Sequence, residues 1–117
     1  MQIPEMYLEL IKKETEAAII KGWDHAKTQW RVMALEVLCH FALTTRAFTV
    51  NDFRDQIKNS DIKTHDNRAM GGLMTTAKGW GWIMPTGESI PSRVGHKVHI
   101  QVWRSMIYQA GAQNNLF

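Results

Sequence analysis

The sequence predicts an α+β domain, with its helices first and a β-hairpin after them. Three observations lead there. Apolar residues recur at helical spacing up to about residue 78, residues 98–103 switch to strict alternation, and prolines and glycines gather over 85–97. With 117 residues, 44% apolar and 21% charged, the chain fits one domain over 1–117 with a single core.

Pro4, at a first-turn position, opens an amphipathic helix in which Ile3, Tyr7, Leu10, Ile11, Ala17 and Ala18 recur at helical spacing until Gly22 stops it, so residues 1–22 form an N-terminal amphipathic helix. After the link WDHAKT, a second helix is expected over about 28–45. Met33, Leu35, Val37, Leu38 and Phe41 cover much of its circumference, which makes it the central core helix. The segment RAFTVNDFRDQI then gives an extended Ala47 and Phe48. In it Thr49 is the N-cap, Asp52 completes a capping box three residues on, and a short helix buries Val50, Phe53 and Ile57.

A polar turn, KNSDIKT, leads to a fourth helix that Asp66 caps and Gly79 ends. WGWIM reads as a strand, PTGESIPSRVGHK as a turn-rich loop and VHIQVWR as a returning strand in which Val98, Ile100 and Val102 alternate with His99, Gln101 and Trp103. The tail over 109–117 has little to bury and is expected to fray.

Two adjacent glycines, Gly71 and Gly72, stand in the middle of the fourth helix, where each costs about 1 kcal/mol relative to Ala. At 100 degrees per residue, Ala69, Met70, Leu73, Met74 and Ala77 form the buried stripe, and Arg68, Gly71, Gly72 and Thr75 fall opposite, with Asn67 and Lys78 at the margins. The core of the domain therefore gives no reason for the glycines. Three accounts remain: close approach of the helix backbone to a DNA phosphate row, packing of the first helix or a second subunit on the strip, or a break of the helix into two short turns.

This order of elements, with a strand directly after Gly-Trp, resembles the winged helix-turn-helix superfamily over 28–104. The resemblance is carried by AFTVNDF entering the first helix of the motif, NRAMGGLMTTAKGWGWI as recognition helix and first wing strand, and KVHIQVWRS as the returning strand. It implies a three-helix core with an added N-terminal helix and a C-terminal β-hairpin wing. In that superfamily the recognition helix enters the major groove and the wing contacts backbone or minor groove. The resemblance thus implies DNA-binding roles for Asn67, Arg68, Gly71, Gly72, Thr75 and Lys78 on a recognition helix over 67–78, and for Arg93, His96 and Lys97 on a wing over 85–97. In size and style the chain is similar to small regulators of phages and mobile elements, which implies a viral protein in transcription regulation or genome handling. Two features depart from the pattern: the wing is longer than the usual loop of about two to five residues, and the recognition face holds one Arg and one Lys.

Charge points the same way. Residues 1–58 carry eight basic and eight acidic side chains, whereas Lys63, Arg68, Lys78, Arg93, Lys97 and Arg104 face only Asp61, Asp66 and Glu88, so the whole net charge of +3 lies in the second half. Double-stranded DNA is the expected partner, and a homodimer through residues 1–22 is expected because Met6, Leu10 and Ile11 exceed what so small a core absorbs. Two rival readings are a protein-interaction module using the same surface and a single-stranded nucleic-acid binder that stacks bases on Trp80, Trp82 and Trp103. The more economical role of those tryptophans is a small core at the base of the hairpin.

Enzymatic and metal chemistry have little to stand on. The chain contains no G-x-S-x-G and no Walker A loop, and of the aspartates that suggest a nuclease cluster, Asp52 serves a cap while Asp55 and Asp61 read as a solvated face. Cys39 with His40, and His96 with His99, supply no second spaced ligand pair for a structural zinc, so neither a metal nor another cofactor is expected. A lone cysteine, no membrane-length apolar run and no signal-like N-terminus lead to the expectation of a soluble, cytoplasmic protein.

Overall fold

The computed structural model describes residues 3–22, 24–59, 67–92 and 98–110, with the backbone alone for His25, Ala26, Asn59, Asn67, Arg68 and Ala69. Its elements in chain order are α1 (Glu5–Ile20), α2 (His25–Thr44), β1 (Ala47–Phe48), α3 (Val50–Asn59), α4 (Asn67–Gly79), β2 (Ile83–Pro91) and β3 (His99–Ser105). The strands make one antiparallel sheet in the order β1-β3-β2, so the architecture is α+β, with four helices and a small three-stranded sheet among the described residues. No helix among them is long and apolar enough to cross a membrane.

α2 is the hub. Ala34, Leu35, Leu38, Cys39 and Ala42 are wholly buried on it, while Met33, expected in the core, is 41% exposed. The helix starts at His25 because the Asp24 carboxylate accepts a hydrogen bond from the Lys27 N–H at 2.8 Å. That start precedes the expected one because hydrophobic periodicity does not register a polar first turn. α1 adds Ile11 and Ala18 to the core, with Ile3, Tyr7 and Leu10 against its edge and Ala17 left in solvent.

The capping box of α3 forms as expected: the Thr49 N–H donates to Asp52 Oδ2 at 2.9 Å and the Asp52 N–H donates to Thr49 Oγ1 at 3.3 Å. Phe53 and Ile57 are buried and Val50 is half-buried. On α4, Met70, Leu73, Met74 and Ala77 form the inward stripe, and the side chain of Ala69, expected with them, lies outside the described residues. The expected polar turn and the Asp66 cap lie outside the described residues, apart from Lys58 and Asn59, which extend α3.

Gly79 is the last helical residue of α4, as expected, and the turn that follows is set by Gly81, whose φ of 81° is the left-handed conformation that a side chain resists. The Trp82 N–H donates to Ala77 O and the Gly81 N–H to Lys78 O, each at 3.0 Å, which is the paired bonding of a Schellman motif. Trp80 to Trp82 therefore form a turn, and the strand expected over 80–84 begins only at Ile83. Buried Trp82 still does what the aromatic cluster promised: Trp80 lies 4.8 Å from it and Tyr7 lies edge-on at 5.6 Å, while Trp103 packs against the same core.

The expected turn-rich loop over 85–97 is strand as far as Pro91. Both prolines fit because β2 is an edge strand. Met106 N–H bonds Trp82 O and Ser92 N–H bonds Val98 O, and alternation from those rungs turns the nitrogens of Pro85 and Pro91 away from β3, where no N–H is required. Between the pairs Pro85↔Trp103 and Ser89↔Gln101, β2 carries two extra residues in a bulge at Gly87, φ 86°. Thr86 Oγ1 donates to Val102 O and Gln101 Nε2 donates to Glu88 O, each at 2.9 Å, which replaces ladder bonds lost there.

Cross-strand pairs show which way the sheet faces. Phe48 sits opposite Trp103 and Ile83 opposite Ser105 on the core side, whereas Ala47 and Met84 flank Arg104 on the outer, exposed side. Val102, Ile100 and Val98 alternate onto that outer side, joined by Ile90 opposite Ile100. Val98 is 52% and Ile90 45% exposed. After β3 the chain returns to the end of α2: Ser105 Oγ donates to Ala42 O at 2.6 Å, the Gln109 N–H donates to Leu43 O at 3.0 Å, and the Arg46 guanidinium lies over the Tyr108 ring. Gln109 is thus held rather than frayed, and 111–117 lie outside the described residues.

The two glycines at the end of α4 should respond oppositely to alanine. Gly81→Ala is expected to lower stability by about 1–2 kcal/mol through its left-handed φ, whereas Gly79→Ala, with open space around it, should be neutral or stabilising. Urea unfolding of both variants checks the assignment of the turn to Gly81.

Candidate nucleic-acid interface

The helical period sorts the side chains of α4 into an inward stripe, which packs toward α2 and α3, and an outward strip. Gly71, Gly72, Thr75, Lys78 and Gly79 are all exposed. A Cβ added to Gly71 or Gly72 would meet nothing within 4 Å. The helix runs unbroken through both residues, and α1 does not cover them. Two of the accounts for the pair, a helix break and packing of α1 on the strip, are therefore removed. An external surface, nucleic acid or a second subunit, remains.

The strip has its own hydrogen-bond economy. Thr75 Oγ1 donates to Gly71 O at 3.1 Å and Thr76 Oγ1 to Gly72 O at 3.0 Å, so each glycine carbonyl takes a hydroxyl from one turn further on. Thr75, expected among the contacting residues, thus has its proton already engaged, and its hydroxyl oxygen keeps only acceptor capacity. To donate to a phosphate its hydroxyl must first rotate off Gly71. Thr76 also accepts from Arg31 Nη2 at 2.8 Å, and the same guanidinium reaches Glu14 Oε1 through Nη2 at 2.8 Å and Nε at 2.9 Å. One cation of α2 thereby fastens α1 and α4 beside the strip.

Gly71, Gly72, Thr75 and Lys78 are brought together on one exposed face as the sequence implied. Asn67 and Arg68 lie in the first turn of α4, and their side chains are outside the described residues. Arg93, His96 and Lys97 also lie outside them, in the five residues that join Ser92 to Val98. Sequence reasoning missed Arg31, whose partners are 17 and 45 residues away, and missed a polar cluster under the hairpin. There buried Asn51 donates through Nδ2 to Ser92 Oγ at 3.1 Å and accepts at Oδ1 from Arg54 Nη1 at 3.2 Å. No local pattern announces contacts of that separation. Asn51 lies two residues before Phe53 and six before Ile57, off the apolar face those residues define, so the period of α3 gave no hint of its burial.

Burial, and after it the charge of Glu36, push the Cys39 thiol up to about 12, so it stays protonated at neutral pH. Burial also lowers the pKa of neighbouring His40. No three His, Cys, Asp or Glu side chains gather in a metal-binding arrangement among the described residues. Trp82 is 1% exposed and presents no stacking surface, while Trp80 and Trp103 are half-buried against the same core. Comparison of the chain with models of known protein families, with curated proteins and with solved structures gave no match.

Because both central glycines are helical, exposed and uncrowded, Gly71→Ala and Gly72→Ala should each hold or raise stability, by up to about 1 kcal/mol. If the strip approaches a partner backbone closely, the same methyl groups must weaken that binding. Melting temperature and duplex-DNA affinity, measured side by side, test both halves; a loss of stability with intact binding would remove the strip from any interface.

Proposed function

We propose that the chain is a non-enzymatic DNA-binding protein of winged helix-turn-helix type, acting in transcription regulation or genome handling. α4 serves as the recognition helix in the major groove, and the hairpin of β2 and β3 is the wing on the backbone. The observation that carries this reading is the outward strip of α4: two uncrowded glycines, with Thr75 and Lys78 beside them, on an uninterrupted helix that precedes a hairpin. A bare helix backbone admits a phosphate row closely, and hydroxyl and ammonium groups are its usual partners. The basic excess of the second half of the chain favours the same partner. The reading includes a homodimer through residues 1–22. Ile11 is taken into the chain's own core and Leu10 packs against it, so Met6, Ile19 and Ile20 are the side chains of α1 that offer apolar contact to a second copy.

A specific feature favours a second reading, a protein-interaction module. The outer side of the sheet presents Met84, Ile90 and Val98, each more than 40% exposed, with Val102 and Ile100 between them. Such a contiguous aliphatic face suits a protein partner better than a phosphate backbone.

The test is binding to random duplex DNA across salt concentrations. Affinity should fall steeply with salt, and Arg93→Ala and Lys97→Ala should each weaken binding equally for all sequences and flatten the log–log slope by about 0.9. An unchanged slope in both variants takes the hairpin out of the interface, and salt-independent or absent binding favours the protein-partner reading. Light scattering over a range of micromolar concentrations should give a dimer mass; a monomer mass throughout would remove the homodimer.

A further inference from the structure

The hairpin is anchored in two places of unequal strength. Its base is held by Trp82, Ile83 and Ser105, all buried. Beyond the bulge, by contrast, Ser89, Ile90, Pro91, Val98 and His99 are exposed, and nothing in the core grips them. At the bulge two extra residues interrupt the backbone ladder, and side-chain bonds from Thr86 and Gln101 stand in for its rungs, so the far end is coupled to the base less directly than a regular ladder would couple it. A ribbon built this way swings unless its far end is tied.

From these features we infer that Asn51 is the positioning residue that fixes the far end of the hairpin relative to α4, an assignment that rests on the DNA-binding reading for its functional meaning. Asn51 lies in the first turn of α3, 5% exposed, and its amide reaches Ser92, the residue whose N–H closes the last described rung of the hairpin onto Val98 O at 2.7 Å. Arg54 fixes which way the amide points. A guanidinium only donates, so the Asn51 oxygen must face Arg54 Nη1, which leaves the NH₂ group for the Ser92 hydroxyl. The capping box that brackets it, Thr49 two residues before and Asp52 one after, holds the turn that carries Asn51. A buried position in an amphipathic helix would ordinarily be apolar, because a buried amide is costly unless every polar atom finds a partner. Here both ends of the amide do, and one of those partners belongs to the hairpin.

The function of the tie is geometric. α3 is packed against α4, so a hairpin fastened to α3 keeps a fixed angle to the outward strip of α4. The end of the hairpin at Ser92 and Val98 is then held at a set distance from the groove that the DNA-binding reading gives α4. Without the tie that end samples many positions, and ordering it on binding costs affinity.

The experiment uses the full chain and three variants. Asn51→Leu keeps the volume and suits the burial but removes both hydrogen bonds; Ser92→Ala removes the other partner; Asn51→Asp keeps an acceptor for Arg54 and for the Ser92 hydroxyl. Hydrogen exchange of the Ser92 and Ile100 amides should quicken about tenfold in Asn51→Leu and Ser92→Ala, as expected for one lost hydrogen bond, with exchange in α2 unchanged and with near-wild-type protection in Asn51→Asp. On duplex DNA, Asn51→Leu should lose affinity and flatten the log–log salt slope by up to about 1.8, the share of two phosphate contacts. Unchanged hairpin exchange in Asn51→Leu overturns the proposal whatever the DNA result. Faster exchange with an unchanged salt slope overturns the positioning role, while absence of DNA binding by the wild type overturns the functional reading and leaves exchange to decide the tie.

Discussion

Burial of α2 is the constraint on which the rest depends. Its apolar side chains cover so much of the circumference that it is stable only when surrounded, and the other elements are arranged to surround it. α1 adds Ile11 and Ala18, α3 adds Phe53 and Ile57, α4 adds four residues of its inward stripe, and the sheet adds Phe48 and Ile83. Even the end of β3 and the segment after it serve it, since Ser105 and Gln109 bond the carbonyls of Ala42 and Leu43 near the helix end, where intrahelical partners run out.

Once α2 is enclosed, the orientation of α4 is no longer free. Its buried stripe must face α2 and α3, so Gly71, Gly72, Thr75 and Lys78 must face outward. The Schellman turn at Gly81 then reverses the chain within three residues, buries Trp82 and launches β2. The outward strip and the hairpin are therefore set beside one another by the same few residues. Arg31 reinforces that geometry from the other side, tying Thr76 of α4 and Glu14 of α1 to α2.

What was legible in the sequence was local. The capping box of Thr49 and Asp52, the two-residue strand at Ala47 and Phe48, the inward stripe of α4 and the outward glycines all follow from spacings of three or four residues, and they stand as read. The misreadings have physical causes too. The start of α2 was hidden because Asp24 caps a polar turn, and β2 was hidden because prolines usually exclude a strand, except at edge positions that need no N–H. Alternation over 98–103 was real, but alternation alone does not say which side is buried: the Trp103 side meets the core, and the aliphatic side faces out. Arg31 with Thr76 and Asn51 with Ser92 join residues more than forty positions apart, a separation at which no local pattern exists. The outward direction of Gly71, Gly72, Thr75 and Lys78 was legible because a 3.6-residue period fixes direction.

The central claim, that the outward strip of α4 meets DNA, is tested most directly by following the backbone amides of the isotope-labelled protein as duplex DNA is added. The account predicts the largest shifts at Gly71, Gly72, Thr75 and Lys78, fading as salt is raised. Shifts concentrated at Met84, Ile90, Ile100 and Val102 on the outer sheet, with the α4 amides unmoved, would contradict it.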